Sequence, residues 1–236
     1  MSAPWHVSPG GPSHVHRAGD VEIRKASVGP MDNDAYLLTD LDSGERLLVD
    51  AAADVDRLLA LVAEPDPVGR LAVVVTTHGH RDHHGALAAV LDATDASSAV
   101  GEADARDLPV DADRRLAHGD AVAFGGVTLE VIALRGHTPG SVALALQSGD
   151  GSTHLFTGDS LFPGGVGNTQ GDAGRFRQLM DDVEERIFAR FPDDAHVHPG
   201  HGDSTTVGAE RGSLAAWRAR LVTGRPTAGL PHGADA

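Results

Sequence analysis

The segment His78-Gly79-His80-Arg81-Asp82-His83 puts three imidazoles and a carboxylate within six consecutive positions. Imidazole nitrogens and carboxylate oxygens are the side-chain donors that hold zinc and other first-row divalent ions. The chain has no cysteine, which excludes disulfides, thiolate-bound zinc, iron–sulfur clusters and thiol nucleophiles. Any metal must therefore sit among histidines and carboxylates. His78 and His80, as neutral imidazoles, suit one ion, and Asp82 and His83 can face a second close by. In isolation the same residues are also compatible with a polar loop of solvated histidines.

Three later segments repeat the theme, each with an ionisable side chain in a glycine-rich turn after a strand: Gly136-His137-Thr138-Pro139-Gly140, Thr157-Gly158-Asp159-Ser160 and His198-Pro199-Gly200-His201-Gly202. Taken singly each reads as an ordinary turn. Taken in order with the first cluster they describe a site assembled from four strand ends.

The elements that must position these turns follow from the hydrophobic pattern. Leu71 to Val75 is short, β-branched and apolar on both faces, as a buried interior strand is, and it runs directly into Thr76-Thr77-His78. Strands are expected over Val21–Val28, Ala35–Thr39, Arg46–Val49, Ser98–Gly101, Ala121–Phe124, Val127–Leu134, Val142–Gln147 and His154–Thr157, with another ending near His198. Helices are expected from Asp54 as N-cap to Pro65 and Pro67, from His84 to about Asp92, over Arg175–Arg190 and over Leu214–Val222. Residues 1–20, broken by Pro4, Pro9, Gly10, Gly11 and Pro12, read as a loose arm, and 223–236 as a frayed tail, leaving one domain over 21–222. Strands and helices mixed in two similar halves suggest sheets packed face to face with helices outside.

Composition narrows the function. With 41% hydrophobic and 22% charged residues the chain has a globular balance, and its net charge of −15 opposes a phosphate backbone, so nucleic acid is not the expected partner. No apolar stretch reaches the roughly 18 residues of a membrane span, and no export signal stands out, so a cytoplasmic protein acting on a small molecule is expected. Oligomeric state is left open. Lys25 is the sole lysine among many arginines, a bias read as compositional.

His78, His80, Asp82 and His83, with His137, Asp159 and His201, resemble the metallo-β-lactamase-fold hydrolase superfamily, nearest its glyoxalase II-like branch, over about residues 21 to 222. The resemblance implies an α/β fold, a four-layer αββα sandwich with a two-metal site at one edge of the paired sheets. It assigns His78, His80 and His137 to the first ion, Asp82, His83 and His201 to the second, and Asp159 to the bridge between them. The ions would be zinc, with iron or manganese as alternatives. Asp50 matches a family residue that braces the metal loop, or else is an ordinary strand-end aspartate. Asp82 is the catalytic candidate, holding a metal-bridging hydroxide and moving its proton. Two such ions about 3.5–4 Å apart lower the pKa of bridging water from 15.7 to about 7.

The loop Leu161–Thr169 resembles the segment lining the substrate pocket in the glyoxalase II-like branch. Asn168, where that branch often has a basic residue, and Thr169 are the candidate substrate contacts. The expected substrate is a small thioester, ester or lactone. One alternative is an enzyme like the persulfide dioxygenases, with a single iron on His78, His137 and Asp159. Another is a non-catalytic metal-binding module.

Overall fold

The computed structural model describes residues 5–66 and 68–223. In chain order the strands β1 (His14–Ala18), β2 (Val21–Val28), β3 (Asn33–Asp40) and β4 (Arg46–Val49) pair antiparallel. After α1 (Val55–Ala63), the strands β5 (Leu71–Thr76), β6 (Ser97–Gly101) and β7 (Arg114–Leu116) continue the sheet in parallel, with α2 (Leu87–Thr94) between β5 and β6. The result is a seven-stranded sheet in sequence order.

A second sheet begins with the meander β8 (Ala121–Phe124), β9 (Val127–Ala133), β10 (Val142–Gln147) and β11 (Thr153–Gly158). A small ribbon, β12 (Leu161–Phe162) with β13 (Gly165–Val166), and α3 (Ala173–Val183) follow. Then β14 (His196–Pro199) joins β11 in parallel and β15 (Thr205–Thr206) closes the edge, before α4 (Val207–Arg211) and α5 (Leu214–Thr223).

Alternation along the strands builds three apolar layers. Ile23, Leu38, Leu47, Val73 and Val75 of the first sheet meet Leu129, Val131, Leu144 and Phe156 of the second. Their neighbours Leu37, Leu48 and Val74 point the other way, onto Leu58 and Leu61 of α1 and Leu87 and Val90 of α2. Ile132, Ala143, Leu155 and Val197 pack outward onto Phe176, Leu179, Met180 and Val183 of α3 and Trp217 of α5. Helix, sheet, sheet, helix is the expected αββα order. No helix among the described residues is long and apolar enough to cross a membrane.

Several local expectations are corrected. The supposed loose arm contains β1, and both Trp5 and Val7 are buried. Imidazoles read as polar in a hydropathy pattern, yet those of His14 and His16, both half-buried, lie 4.8 and 4.7 Å from the buried Trp5 ring. Asp54 does not cap α1. It sits in the left-handed region at φ 54, and its carboxylate accepts from Gly29 N instead. The second helix begins at Leu87 rather than His84, because a 3-10 turn over Arg81–His83 precedes it. The helix expected over Arg175–Arg190 starts at Ala173, where Asp172 caps Gly174 N and Arg175 N, and from Glu184 to Phe188 it widens into a π-turn. The Asp-rich connection after β6 hides β7. Of the expected tail, all but Thr223 lies outside the described residues.

Candidate metal centre

The buried strand β5 delivers Thr77 and His78 to the sheet edge. Asp50, in the left-handed region at φ 59 just beyond β4, secures that edge. Its Oδ1 accepts from Thr77 N at 2.7 Å, and its Oδ2 accepts from Thr77 Oγ1 at 2.8 Å and from His83 Nδ1 at 2.9 Å. Of the two readings of Asp50, the bracing one describes these contacts. The same device recurs at other histidines: His137 Nδ1 donates to Asn168 O at 2.8 Å, and His201 Nδ1 donates to Met31 O at 3.0 Å. A ring that donates through Nδ1 turns its Nε2 lone pair inward, which is how metal-binding imidazoles are oriented.

All seven side chains singled out in the sequence converge. Donor atoms of His78, His80 and His137 lie within 4.8 Å of one another, as do those of Asp82, His83 and His201, and those of His78, His83 and Asp159. Asp159 stands at the seam: its Oδ1 is 3.4 Å from His83 Nε2, and its Oδ2 is 3.6 Å from both His137 Nε2 and His201 Nε2. Asp82 Oδ2 is 3.5 Å from His83 Nε2 and 3.4 Å from His201 Nε2. Two buried atoms here, His137 Nε2 and Asp159 Oδ1, have no hydrogen-bond partner. Such atoms are costly unless something satisfies them, and a divalent cation fits this donor set. Gly200 leaves room for the approach, since a Cβ there would collide with Asp159 Oδ1 and the His83 ring.

The electrostatics divide the cluster. Burial pushes His78 well below the ordinary histidine range, with the His83 charge adding to it, and takes His137 down to about 4. Burial also opposes charge on His83 and His201. At His83 the charges of Asp159 and Asp50 outweigh it and raise the ring well above its usual value, and the carboxylates of Asp159 and Asp82 beside its Nε2 raise His201 to about 10. Burial pushes Asp82 and Asp159 up, but His201 and His83 hold both below the usual carboxylate range.

Some residues of the site carry no motif signal. Asn33, at the start of β3, donates its amide to Asp82 Oδ2 at 3.1 Å. Buried Asp104, after β6, accepts from Gly79 N at 2.9 Å, from Gly140 N at 2.7 Å and from Thr138 Oγ1, tying the His78–His80 loop to the His137 loop. Arg175 of α3 donates to Gly136 O at 2.8 Å and to His137 O. The pocket candidates behave differently from the ligand candidates. Asn168 reaches the centre through its backbone carbonyl while its side chain accepts from Gln170 N, and the Thr169 hydroxyl donates to Asp172 O at 3.3 Å. His84 lies beside the cluster with Nε2 on Gly79 O at 3.3 Å.

Residues 28–201 match the model of the metallo-beta-lactamase superfamily. The chain belongs to that superfamily. Among superfamily relatives it is 38% identical to a hydroxyacylglutathione hydrolase of Anaeromyxobacter dehalogenans, over 72% of this chain and 61% of that protein. It is 34% identical to the persulfide dioxygenase ETHE1 of Homo sapiens, over 70% of this chain and 62% of that protein. The chain thus spans about three-fifths of the length of either. Solved superfamily structures superpose well: the BLEG-1 B3 metallo-beta-lactamase with TM-score 0.72 at 26% identity, covering 80% of this chain and 96% of that one, and TTHA1623 in a di-iron-bound form with TM-score 0.64 at 29% identity, covering 79% and 96%.

Proposed function

We propose that this chain is a binuclear metallohydrolase, with zinc as the expected ion, that cleaves a thioester, ester or lactone in a small molecule. The observation that carries the reading is the position of Asp159, whose two oxygens face His83 on one side and His137 and His201 on the other. Two adjacent cations held there would polarise the substrate carbonyl and make water nucleophilic near neutral pH.

The remaining steps belong to the chain's own groups. His78, His80 and His137 would hold one ion, Asp82, His83 and His201 the other, and Asp159 both. Asp82 is less buried than Asp159 and is steadied by the Asn33 amide. That exposure favours Asp82 over Asp159 for taking the proton of the attacking water and returning it to the leaving group, while the Asn33 amide orients its Oδ2 without adding to its basicity. With Asp159 shared, each ion would have four protein donors, so catalysis rather than a passive metal-binding module requires ions that expand to five ligands to take up water or substrate. The net charge of −15 favours a small molecule over nucleic acid as substrate.

The likeness to ETHE1 supports a second reading, a persulfide dioxygenase with one iron on His78, His137 and Asp159. Elemental analysis of the purified protein, with assays on the same sample, separates the two. Two zinc ions per chain with turnover in a thioester, ester and lactone panel is the expected result. One iron per chain with oxygen uptake on a persulfide would replace hydrolysis by oxygenation.

A further inference from the structure

Lys25, on β2, is fully buried beneath the loop that carries His201. Its ammonium lies 2.9 Å from Asp34 Oδ2 and donates to Trp5 O at 3.0 Å and to Gly202 O. An ammonium has three N–H groups, and three acceptors surround this one. Its neighbours grip the same loop: Asp34 N donates to Gly200 O at 2.8 Å, and Tyr36 Oη donates to Pro199 O at 2.7 Å. The carbonyls of Pro199, Gly200 and Gly202, on either side of His201, therefore all end on Lys25, Asp34 or Tyr36. Trp5 joins the N-terminal segment to this network, its ring 4.4 Å from that of His198.

A buried ion pair is a poor source of stability, because desolvation offsets much of the attraction, and apolar side chains of similar volume pack as well or better. What Lys25 does that an apolar residue would not is fix a backbone carbonyl next to His201. We propose that Lys25 is a positioning residue for the Asp82/His83/His201 centre: it locks the Pro199–Gly202 loop so that His201 Nε2 meets Asp82 and His83. This rests on the two-ion reading above.

The test is a stepwise Co2+ and Zn2+ titration against a competing chelator, followed by Co2+ absorption. It uses the wild-type chain, K25M, and K25M/D34N, which also removes the carboxylate left unpaired. His201→Ala marks which step belongs to that centre. The proposal expects two ions in the wild type. In the lysine variants it expects affinity at the His78/His80/His137 centre within about threefold of wild type, affinity at the other centre reduced at least about tenfold, and altered bands for that step alone. Wild-type affinities and bands at both centres in the variants overturn it. So does an equal loss at both centres, or failure of both variants to fold, since either assigns Lys25 to the fold at large. Fewer than two ions in the wild type removes the two-ion reading itself, and the inference with it.

Discussion

At Asp50 one carboxylate holds both the strand edge that presents His78 and the ring of His83. Asp50→Ala should therefore weaken metal binding about 10–100-fold, measured by chelator competition, while a surface exchange such as Arg57→Gln leaves it unchanged. Loading should also release protons. His201, raised to about 10, is protonated at neutral pH in the metal-free chain and must be neutral to bind an ion. Affinity should fall as pH drops, and zinc addition in weak buffer should acidify a pH-indicator dye; no release would contradict the protonated His201. At this scale the cluster was largely legible, because His78, His80, Asp82 and His83 lie close in sequence and the other three share a strand–glycine–ligand pattern. Asn33, Asp104 and Lys25 were not, since each acts across the fold on a residue far away in the chain and no local spacing marks it.

Among the elements, the turn after β6 matters most to the centre through Asp104, which joins the loops after β5 and β9. Asp104→Ala strands Gly79 N and Gly140 N, while the Thr138 hydroxyl keeps Ser141 Oγ as a partner. With about 1–3 kcal/mol for each group left unpaired, a loss of roughly 2 kcal/mol or more is expected in urea unfolding of the metal-free chain. The edge formed by β1, β11 and β14 has its own signature. His154 and His198 are fully buried, with His154 Nδ1 and His198 Nε2 3.0 Å apart, and His154 stacks on His196 with ring centres 4.9 Å apart. Burial holds His14, His16, His154, His196 and His198 all below the usual histidine value, His154 at about 3, with neighbouring imidazoles adding to it at every one but His16. The unfolded chain takes up these protons near 6.5 and the folded chain only at lower pH. This contribution to stability is therefore intact above about pH 6.5 and declines as pH falls toward 3. His154→Leu should flatten the decline between pH 7 and 5; an unchanged slope would relieve this edge of the role. The same imidazoles explain why β1 was illegible: in His14-Val15-His16 the half-buried imidazoles lie against Trp5 while the apolar Val15 is exposed, the reverse of what hydropathy leads one to expect.

For the whole molecule, three apolar layers fix the order of helices and sheets, and the packing of sheet on sheet was readable because strands and helices fall in two similar halves and Leu71–Val75 is apolar on both faces. Phe156→Ala, at the centre of the inter-sheet layer, should cost about 3–5 kcal/mol. Metal removal should act at the same scale, because ions bound only by the folded chain stabilise it by about 4 kcal/mol each at a thousandfold excess over Kd. Treatment with a chelator should lower the melting temperature, and zinc should restore it. One further property follows from the chain's having a single lysine with no exposed surface. Acylating reagents find no side-chain amine on the native surface, so modification at position 25 can proceed only through a transient opening of that end of the sandwich. Peptide mass spectrometry over time would then clock the opening at a single chemical address, with no competing lysine to blur the reading.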